Sequence, residues 1–106
     1  MSAAFHSVIR FQVKPGREAD FEAAFRDAGM LTRPRAVPGY LGADLVRSAD
    51  ATGEYLVLGR WTSAEAYAAW QAIAAQDAPR EALRRLVDTL VDPAPGRGFV
   101  TVQAGN

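Results

Sequence analysis

The side chains best suited to chemistry are aromatic residues in the second half of the chain. Trp61 ends a predicted strand, and Tyr67 and Trp70 follow on the apolar face of the next predicted helix. An indole can stack on a flat aromatic molecule, and a buried phenol usually finds a hydrogen-bond partner, which can be a substrate oxygen. Each of the three residues also suits a structural role in the core, and for Trp70 packing is the preferred interpretation.

Charged and titratable candidates are fewer. Arg80, Arg84 and Arg85 flank a later apolar stripe. An arginine reaching inward could stabilise a phenolate or enolate, although an exposed position beside neighbouring carboxylates is the simpler interpretation. His6 is the only histidine, and its unperturbed pKa would allow it to act as a base near neutral pH. It starts a strand on the face opposite Ile9, so we expect it to be exposed or to face a dimer partner.

Composition narrows the possible functions. The 106 residues contain 12 basic and 12 acidic side chains, a balance that argues against nucleic-acid binding. No cysteine is present, which excludes disulfides, thiolate nucleophiles and zinc–thiolate sites. No phosphate loop, nucleotide fingerprint, catalytic triad or metal-ligand cluster is recognisable, so we predict neither a metal nor a cofactor. The length fits one domain over residues 1–106, and the lack of a leader or a long apolar segment predicts a cytoplasmic protein without a membrane partner.

Periodicity predicts four strands and two helical regions. Alternating or apolar runs indicate strands over residues 6–13, 40–47, 54–61 and 99–103. A helix is predicted over residues 17–30, and a second begins at the capping box formed by Thr62 and Glu65 and runs to about residue 75. A loop is expected over residues 32–39. After a break at residues 77–79, in which Pro79 suits a first helical turn, a further stripe is formed by Leu83, Leu86, Val87, Leu90 and Val91.

This order predicts the α+β ferredoxin-like split β-α-β fold, a four-stranded antiparallel sheet with helices on one face. If Ile9 and Val57 face the helices, the other face carries Val8, Leu56 and Leu58. Leaving such a surface in water is unfavourable by roughly 25 cal/mol per Å², so we expect two sheets to pack face to face in a homodimer. A monomer with one solvated sheet face remains the alternative.

Three segments also carry a family resemblance: VIRFQVKPGREADFEAAF at residues 8–25, PGYLG at residues 38–42 and YLVLGRWTSAEAYAAW at residues 55–70. With them, most of residues 5–76 resembles the antibiotic biosynthesis monooxygenase family of dimeric α+β barrels. The resemblance implies a homodimer with a pocket between sheet and helices in each subunit, which would bind a small aromatic molecule.

The resemblance implies chemistry at particular positions. Some relatives oxidise polycyclic phenols to quinones with O2 and neither metal nor flavin. Their pocket Trp and Tyr match Trp61 and Tyr67, and a later Arg falls near Arg80 or Arg84. We therefore expect a cofactor-independent monooxygenase with Trp61, Tyr67 and Arg84 as catalytic residues. The substrate-binding residues implied are Ile9, Phe11, Phe25, Val57, Trp70 and Arg80.

Two other functions are alternatives to this one. Haem-degrading relatives use a strand Asn, which falls at Ile9, and an axial His on a helix. The chain has no histidine beyond His6, which argues against haem degradation. The pocket Asn of the quinone-forming relatives falls at Val57, and no convincing acid–base pair is present. A non-catalytic or differently catalytic pocket protein, such as a carrier, sensor or isomerase, therefore stays open.

Overall fold

The computed structural model describes residues 4–76, 79–91 and 96–105. The strands are β1 (Phe5–Gln12), β2 (Tyr40–Arg47), β3 (Glu54–Trp61) and β4 (Arg97–Val100). The helices are α1 (Glu18–Asp27), a short 3₁₀ helix (Arg33–Ala36), α2 (Ala64–Gln76) and α3 (Arg80–Asp88). The element order predicted from periodicity is confirmed, and the second helical region consists of two helices.

The four strands form one antiparallel sheet in the order β2-β3-β1-β4. β1 and β3 pair along their full lengths, with Ile9 opposite Val57. Both side chains pack into the core, as the alternation predicted. The predicted α+β ferredoxin-like fold is therefore confirmed.

Two clusters of buried side chains fill the space between the sheet and the helices. The packed cluster lies between the sheet, α1 and α3 and consists of Phe11, Val13, Phe21, Ala24, Phe25, Tyr55, Val57, Leu86 and Leu90. The aromatic cluster lies beneath α2 and consists of Val37, Trp61, Ala66, Tyr67 and Trp70, with Phe5 and Tyr40 packed against it. The boundary between these clusters positions the candidate site.

Several predicted boundaries were wrong by a few residues. β1 begins at Phe5 and ends at Gln12, and β4 spans Arg97–Val100 rather than residues 99–103. α1 ends at Asp27 because Gly29 adopts a φ of +68°, which lies outside the helical range. The predicted loop at 32–39 contains the 3₁₀ helix.

The start of α2 also differs from the prediction. The backbone N–H of Ala66 donates to Ser63 Oγ at 3.2 Å. Because α2 begins at Ala64, Ser63 is the residue that caps it, and not Thr62. The sequence offers two adjacent hydroxyls, and the exit direction of β3 decides which of them meets the free N–H groups.

α3 begins at Arg80, directly after Pro79. Leu86 and Leu90 of the predicted stripe are buried, but Val87 and Val91 are about half exposed. Ala82, which the predicted stripe did not include, is buried as well. The stripe is thus narrower than predicted. The predicted break at residues 77–78 and the loop at 92–95 lie outside the described residues. Within the described ranges, no helix is both long and apolar enough to cross a membrane.

Candidate functional site

A row of small residues crosses the helix-facing side of the sheet. Ser7 lies opposite Gly59 on the neighbouring strand, and Gly59 lies opposite Ala43 on the next. Residues paired across strands share a face and a height on the sheet. On one side of this row Trp61 pairs with Phe5, and on the other Val57 pairs with Ile9. The row therefore leaves a gap between two rows of large side chains.

The gap is a small inner cavity of about 20 Å³. Its lining joins the small residues to aromatic and aliphatic neighbours, namely Ser7, Ile9, Met30, Pro34, Tyr40, Ala43, Val57, Gly59, Trp61, Tyr67 and Trp70. A space of this size holds about one molecule of the size of water.

An open outer cleft of about 340 Å³ adjoins the inner cavity. Its lining consists of Ile9, Met30, Arg33, Tyr67, Trp70, Gln71, Ala74, Leu83 and Gly96. Ile9, Met30, Tyr67 and Trp70 line both spaces. The outer cleft has the volume and apolar character of a small-molecule site, and it adjoins the inner cavity at these four side chains.

A hydrogen bond joins Ser7 to Trp61 of the aromatic cluster. Trp61 Nε1 donates a hydrogen bond to Ser7 Oγ at 3.0 Å, and both residues are buried. Gly59 permits this contact, because a Cβ on it would meet Ser7 Oγ and lie 2.9 Å from Trp61 Nε1. The indole is thereby fixed, and the serine hydroxyl retains its own proton for a further hydrogen bond.

Tyr67 stands at the junction of the two spaces. Its ring lies 5.4 Å from the Trp61 ring and 5.8 Å from the Phe5 ring, centroid to centroid. A Cβ on Gly96 would come within 2.5 Å of the Tyr67 hydroxyl oxygen, so Gly96, which directly precedes β4, lies close to this hydroxyl. Burial raises the pKa of the Tyr67 phenol. The phenol therefore remains protonated at neutral pH and can donate a hydrogen bond.

Arg33 brings a positive charge to the outer cleft. Its Nη1 donates to the Ala28 carbonyl at 3.4 Å and its Nη2 to the Ala74 carbonyl at 3.2 Å. The guanidinium carbon lies 5.2 Å from the Trp70 ring centroid, within the range of a cation–π contact. Arg33 is the single charged side chain among the described residues that line the cleft.

Five of the predicted site residues come together around these spaces. Trp61 and Val57 line the inner cavity, and Ile9, Tyr67 and Trp70 line both spaces. Phe11 and Phe25 instead lie inside the packed cluster and border neither space. These five residues line two adjoining spaces, and the catalytic or binding role predicted for each of them remains a prediction.

The structure does not bring Arg80 or Arg84 to the cavity. Both are exposed, and Arg84 Nη2 pairs with the Glu81 carboxylate at 3.1 Å on the surface of α3. Leu83 lines the outer cleft instead. Successive helical residues point about 100° apart, so a helix that turns Leu83 towards the cleft turns Arg84 away from it.

Sequence reasoning missed Ser7, Arg33 and the small residues Ala43 and Gly59. Arg33 lies in a segment predicted as a plain loop, and nothing in its local pattern indicates a contact with Trp70. The row of small residues could have been sought, because a ferredoxin-like sheet places β1 beside β3, and Ser7 and Gly59 lie on these two strands.

The histidine and the acidic side chains are the remaining candidates for acid–base or metal chemistry. His6 Nε2 lies 2.8 Å from Thr101 Oγ1, and its alternation with buried Ser7 places it on the sheet face away from the cavity. Among residues 4–76, 79–91 and 96–105, no three histidine, aspartate or glutamate side chains form a group that could hold a metal ion. The sequence-based expectation of no metal remains a prediction.

A groove of similar size, about 310 Å³, lies at the turn between β2 and β3. It is lined by Glu18, Arg47 and residues 48–53, which are turn residues without an aromatic ring. Apolar and aromatic walls with a few polar groups are typical of small-molecule sites, so the space beneath α2 is the stronger candidate.

Comparisons with known proteins identify the fold and the family. No curated protein sequence matches the chain. A candidate antibiotic biosynthesis monooxygenase of Bordetella bronchiseptica superposes with a TM-score of 0.73 at 23% identity, covering 95% of this chain and 99% of that one. A candidate of the same description from Caulobacter crescentus gives a TM-score of 0.73 at 24% identity, covering 96% of this chain and 92% of that one.

SnoaB, a cofactor-independent oxygenase from Streptomyces nogalater, gives a TM-score of 0.69 at 22% identity, with 97% of each chain covered. At these identities the superpositions show a shared fold and nothing about activity. The family model of antibiotic biosynthesis monooxygenase matches residues 4–81, which is most of the chain. The protein therefore belongs to the antibiotic biosynthesis monooxygenase family.

Proposed function

We propose that this protein is a monooxygenase that needs no bound cofactor and oxidises a hydroxylated, mono- or polycyclic aromatic to a quinone with O2. The observation that carries the proposal is the outer cleft of about 340 Å³, whose wall includes the Tyr67 phenol and the Trp70 indole. The cleft suits a flat aromatic ring, and aromatic walls orient such a ring by stacking. The similarity to SnoaB, itself a cofactor-independent oxygenase, supports the same class by analogy.

The proposed reaction balances without an added reductant. The substrate phenol or enol loses a proton, and the electron-rich carbon of the anion forms a bond to one atom of O2. The resulting peroxide takes up a proton. The same carbon then loses its hydrogen as a proton, its electron pair forms the carbonyl, and the O–O bond breaks to release water. One oxygen atom of O2 thus enters the quinone and the other leaves as water.

Tyr67 would orient the substrate. Its hydroxyl lies where the two spaces meet, and its raised pKa keeps it a donor at the pH of the reaction. A donor at this place can hold the substrate oxygen so that the reacting carbon faces the inner cavity. Trp61 would act from beneath, by holding the Tyr67 ring and the Ser7 hydroxyl in place.

Arg33 would stabilise the substrate anion. It lines the outer cleft, whereas Arg80 and Arg84 lie on the exposed side of α3. A guanidinium already fixed by two carbonyls and an indole can interact with a phenolate with little loss of side-chain freedom. We therefore assign to Arg33 the charge-stabilising role that the sequence pointed to in Arg84.

Oxygen consumption with a panel of anthrones and naphthols tests this function. Wild-type protein should consume O2 and form quinone, and Tyr67→Phe and Arg33→Gln should each reduce kcat/KM by about tenfold to a hundredfold, the usual range for one positioned group. Arg84→Gln is the matched control and should stay within about twofold. If wild-type protein consumed no O2 above the uncatalysed rate, the proposal would be wrong on these substrates.

A second candidate is a carrier, sensor or isomerase for a small apolar ligand. It is favoured by one observation: among the described residues that line the two spaces there is no carboxylate or imidazole to act as a base. A ligand retained through purification and displaced by aromatics, together with absence of O2 uptake, would support this candidate.

We also propose a homodimer formed through the sheet face that carries no described helix. Val8, Val46 and Leu56 on this face are only half-buried, and Leu58 and Phe99 are exposed. A second copy of the sheet would cover these apolar side chains. Light scattering should give twice the monomer mass, and Leu58→Glu should shift it to the monomer, whereas Val87→Glu, at an exposed position on α3, should not.

A further inference from the structure

The inner cavity and the outer cleft differ in size and share part of their lining. The outer cleft can accommodate an aromatic ring, but the inner cavity, at about 20 Å³, excludes one and exceeds the minimum space for one water-sized molecule, roughly 10–15 Å³. Ile9, Met30, Tyr67 and Trp70 line both spaces. The two spaces therefore meet at these side chains, and a ring in the outer cleft would lie next to whatever occupies the inner cavity.

The lining of the inner cavity favours an apolar guest over water. Most of the wall is hydrocarbon, contributed by side chains such as Pro34, Ala43 and Val57. The Tyr40 hydroxyl already donates to the Leu31 carbonyl at 3.3 Å. A buried water usually needs two to four polar partners. Ser7 Oγ, already accepting from Trp61, has one proton to offer, and Tyr67 belongs to the part of the lining that is shared with the outer cleft.

We propose that the inner cavity binds dioxygen, and that the Ser7 hydroxyl donates a hydrogen bond to the oxygen atom that becomes negatively charged. This inference deepens the proposed function and rests on it. When the substrate carbon bonds to one atom of O2, the other atom carries the charge of the peroxide anion until it is protonated. Ser7 is 3% exposed, and in such a water-excluded place a single fixed donor stabilises developing charge strongly.

The cavity itself can be tested without a substrate, by diffraction from crystals pressurised with xenon, an apolar atom that enters dry cavities. Wild-type crystals should show xenon in the inner cavity. Ala43→Val adds two methyl groups to the wall of that cavity and should abolish the peak. An ordered water in the wild-type cavity that persists under xenon would overturn the dioxygen site.

Steady-state kinetics on an active aromatic substrate test the role of the cavity. Ala43 lines only the inner cavity and Ala74 only the outer cleft, so the same change at the two positions forms a matched pair. Ala43→Val should raise the KM for O2 at least about fivefold and leave the KM for the aromatic within about twofold, and Ala74→Val should do the reverse. Equal effects of both variants on the KM for O2 would contradict the inference while leaving the oxygenase function intact.

Ser7→Ala tests the hydrogen bond. This variant should still bind xenon, but kcat/KM for O2 should fall by about tenfold to a hundredfold, the range for a hydrogen bond to a charged group. An unchanged kcat/KM for O2 in a variant that melts within a few degrees of wild type would remove Ser7 from the mechanism. Should the wild-type protein oxidise none of the aromatics, the proposed function fails, and the xenon experiment alone then supports or overturns a gas-binding cavity.

Discussion

The packed cluster and the aromatic cluster lie on the same face of one sheet, and both are built around rings. In the packed cluster Phe21 lies 4.6 Å from the Tyr55 ring and 5.4 Å from the Phe11 ring, centroid to centroid. In the aromatic cluster the Trp61 ring lies at similar distances from the rings of Tyr40 and Tyr67, 5.1 Å and 5.4 Å. The row of small residues lies between the two clusters, with Val57 of the packed cluster on one side of it. Only the aromatic cluster contributes rings to the lining of the inner cavity.

The difference shows that a binding site need not come from looser packing of its aromatic residues. The rings in both clusters are well packed. The row formed by Ser7, Gly59 and Ala43 has only small side chains, so it leaves space at one level of the sheet. Stability should therefore depend on the packed cluster, and activity on the space beside the aromatic cluster.

The largest expected effect is on stability in the packed cluster. Phe21 is fully buried, and Phe21→Ala should lower the free energy of unfolding by about 3–5 kcal/mol through lost transfer energy and a new cavity. Urea denaturation measures this loss. Val87→Ala, an exposed position on α3, is the control and should change stability by less than about 0.5 kcal/mol. A loss below about 1 kcal/mol for Phe21→Ala would contradict the division between the clusters.

Adding volume compares the two regions directly. Ala24 is 1% exposed inside the packed cluster, so Ala24→Val should lower stability by about 1–3 kcal/mol through overpacking, of which lower helix propensity accounts for only a few tenths. Ala43→Val directs the same two methyl groups into the inner cavity and should change stability by less than about 1 kcal/mol. Equal losses would show that the cavity does not accept the added volume.

The buried tyrosine of the packed cluster should make stability depend on pH. Desolvation by burial, followed by the hydrogen bond to Glu22, raises the pKa of Tyr55 to about 12, and its hydroxyl donates to Glu22 Oε2 at 2.6 Å. The folded protein therefore holds this proton in a pH range where the unfolded chain, with a pKa near 10, releases it.

The resulting contribution to stability is complete below pH 10 and is lost as the pH rises towards 12. Because Glu22 is exposed to solvent, we expect about 1–2 kcal/mol rather than the full value of a two-unit shift. Tyr55→Phe should lose about 1 kcal/mol at pH 8 and show a weaker decline between pH 10 and 12 than wild type. An identical decline in both proteins would assign the pH dependence to Tyr40 and Tyr67, whose pKa values burial also raises.

The smallest effect concerns the helix that covers the aromatic cluster. Ser63→Ala removes the hydroxyl that accepts from the Ala66 N–H and should lower stability by about 1 kcal/mol. Thr62→Ala, which alters the adjacent hydroxyl, should leave stability nearly unchanged. Thermal melting of both variants measures this difference, and the opposite ranking would restore the capping box predicted from the sequence.

Much of the fold could be read from local patterns. β2 and β3 have the predicted bounds, because alternation along a half-buried strand is a strong signal. The ends of α1 and β4 were misplaced, because helix and strand ends depend on which backbone groups find partners elsewhere in the fold. Val87 was misplaced because periodicity shows which residues could share a face, but not how wide a face the neighbouring helix covers.

The candidate site was only partly predictable. Tyr67 and Trp70 could be placed on the buried face of one helix, and Trp61 at the end of its strand, from their spacing alone. Arg33 could not, because its contact with Trp70 joins a loop to a helix far along the chain. The register of α3 in the fold decided that Leu83 and not Arg84 would face the cleft.

By itself the sequence determined the order of the elements and the sheet face that the residues of β1 and β3 occupy, because these follow from periodicities of two and 3.6 residues along the chain. Only the tertiary structure decided that Ser7, Gly59 and Ala43 stand in one row, that Trp61 donates to Ser7, and that Arg33 supplies the charge of the cleft. Each of these features depends on strand register or on helix packing between segments that are far apart in the chain. The size of a cavity depends on how closely large side chains pack around it, and no local sequence pattern records that packing.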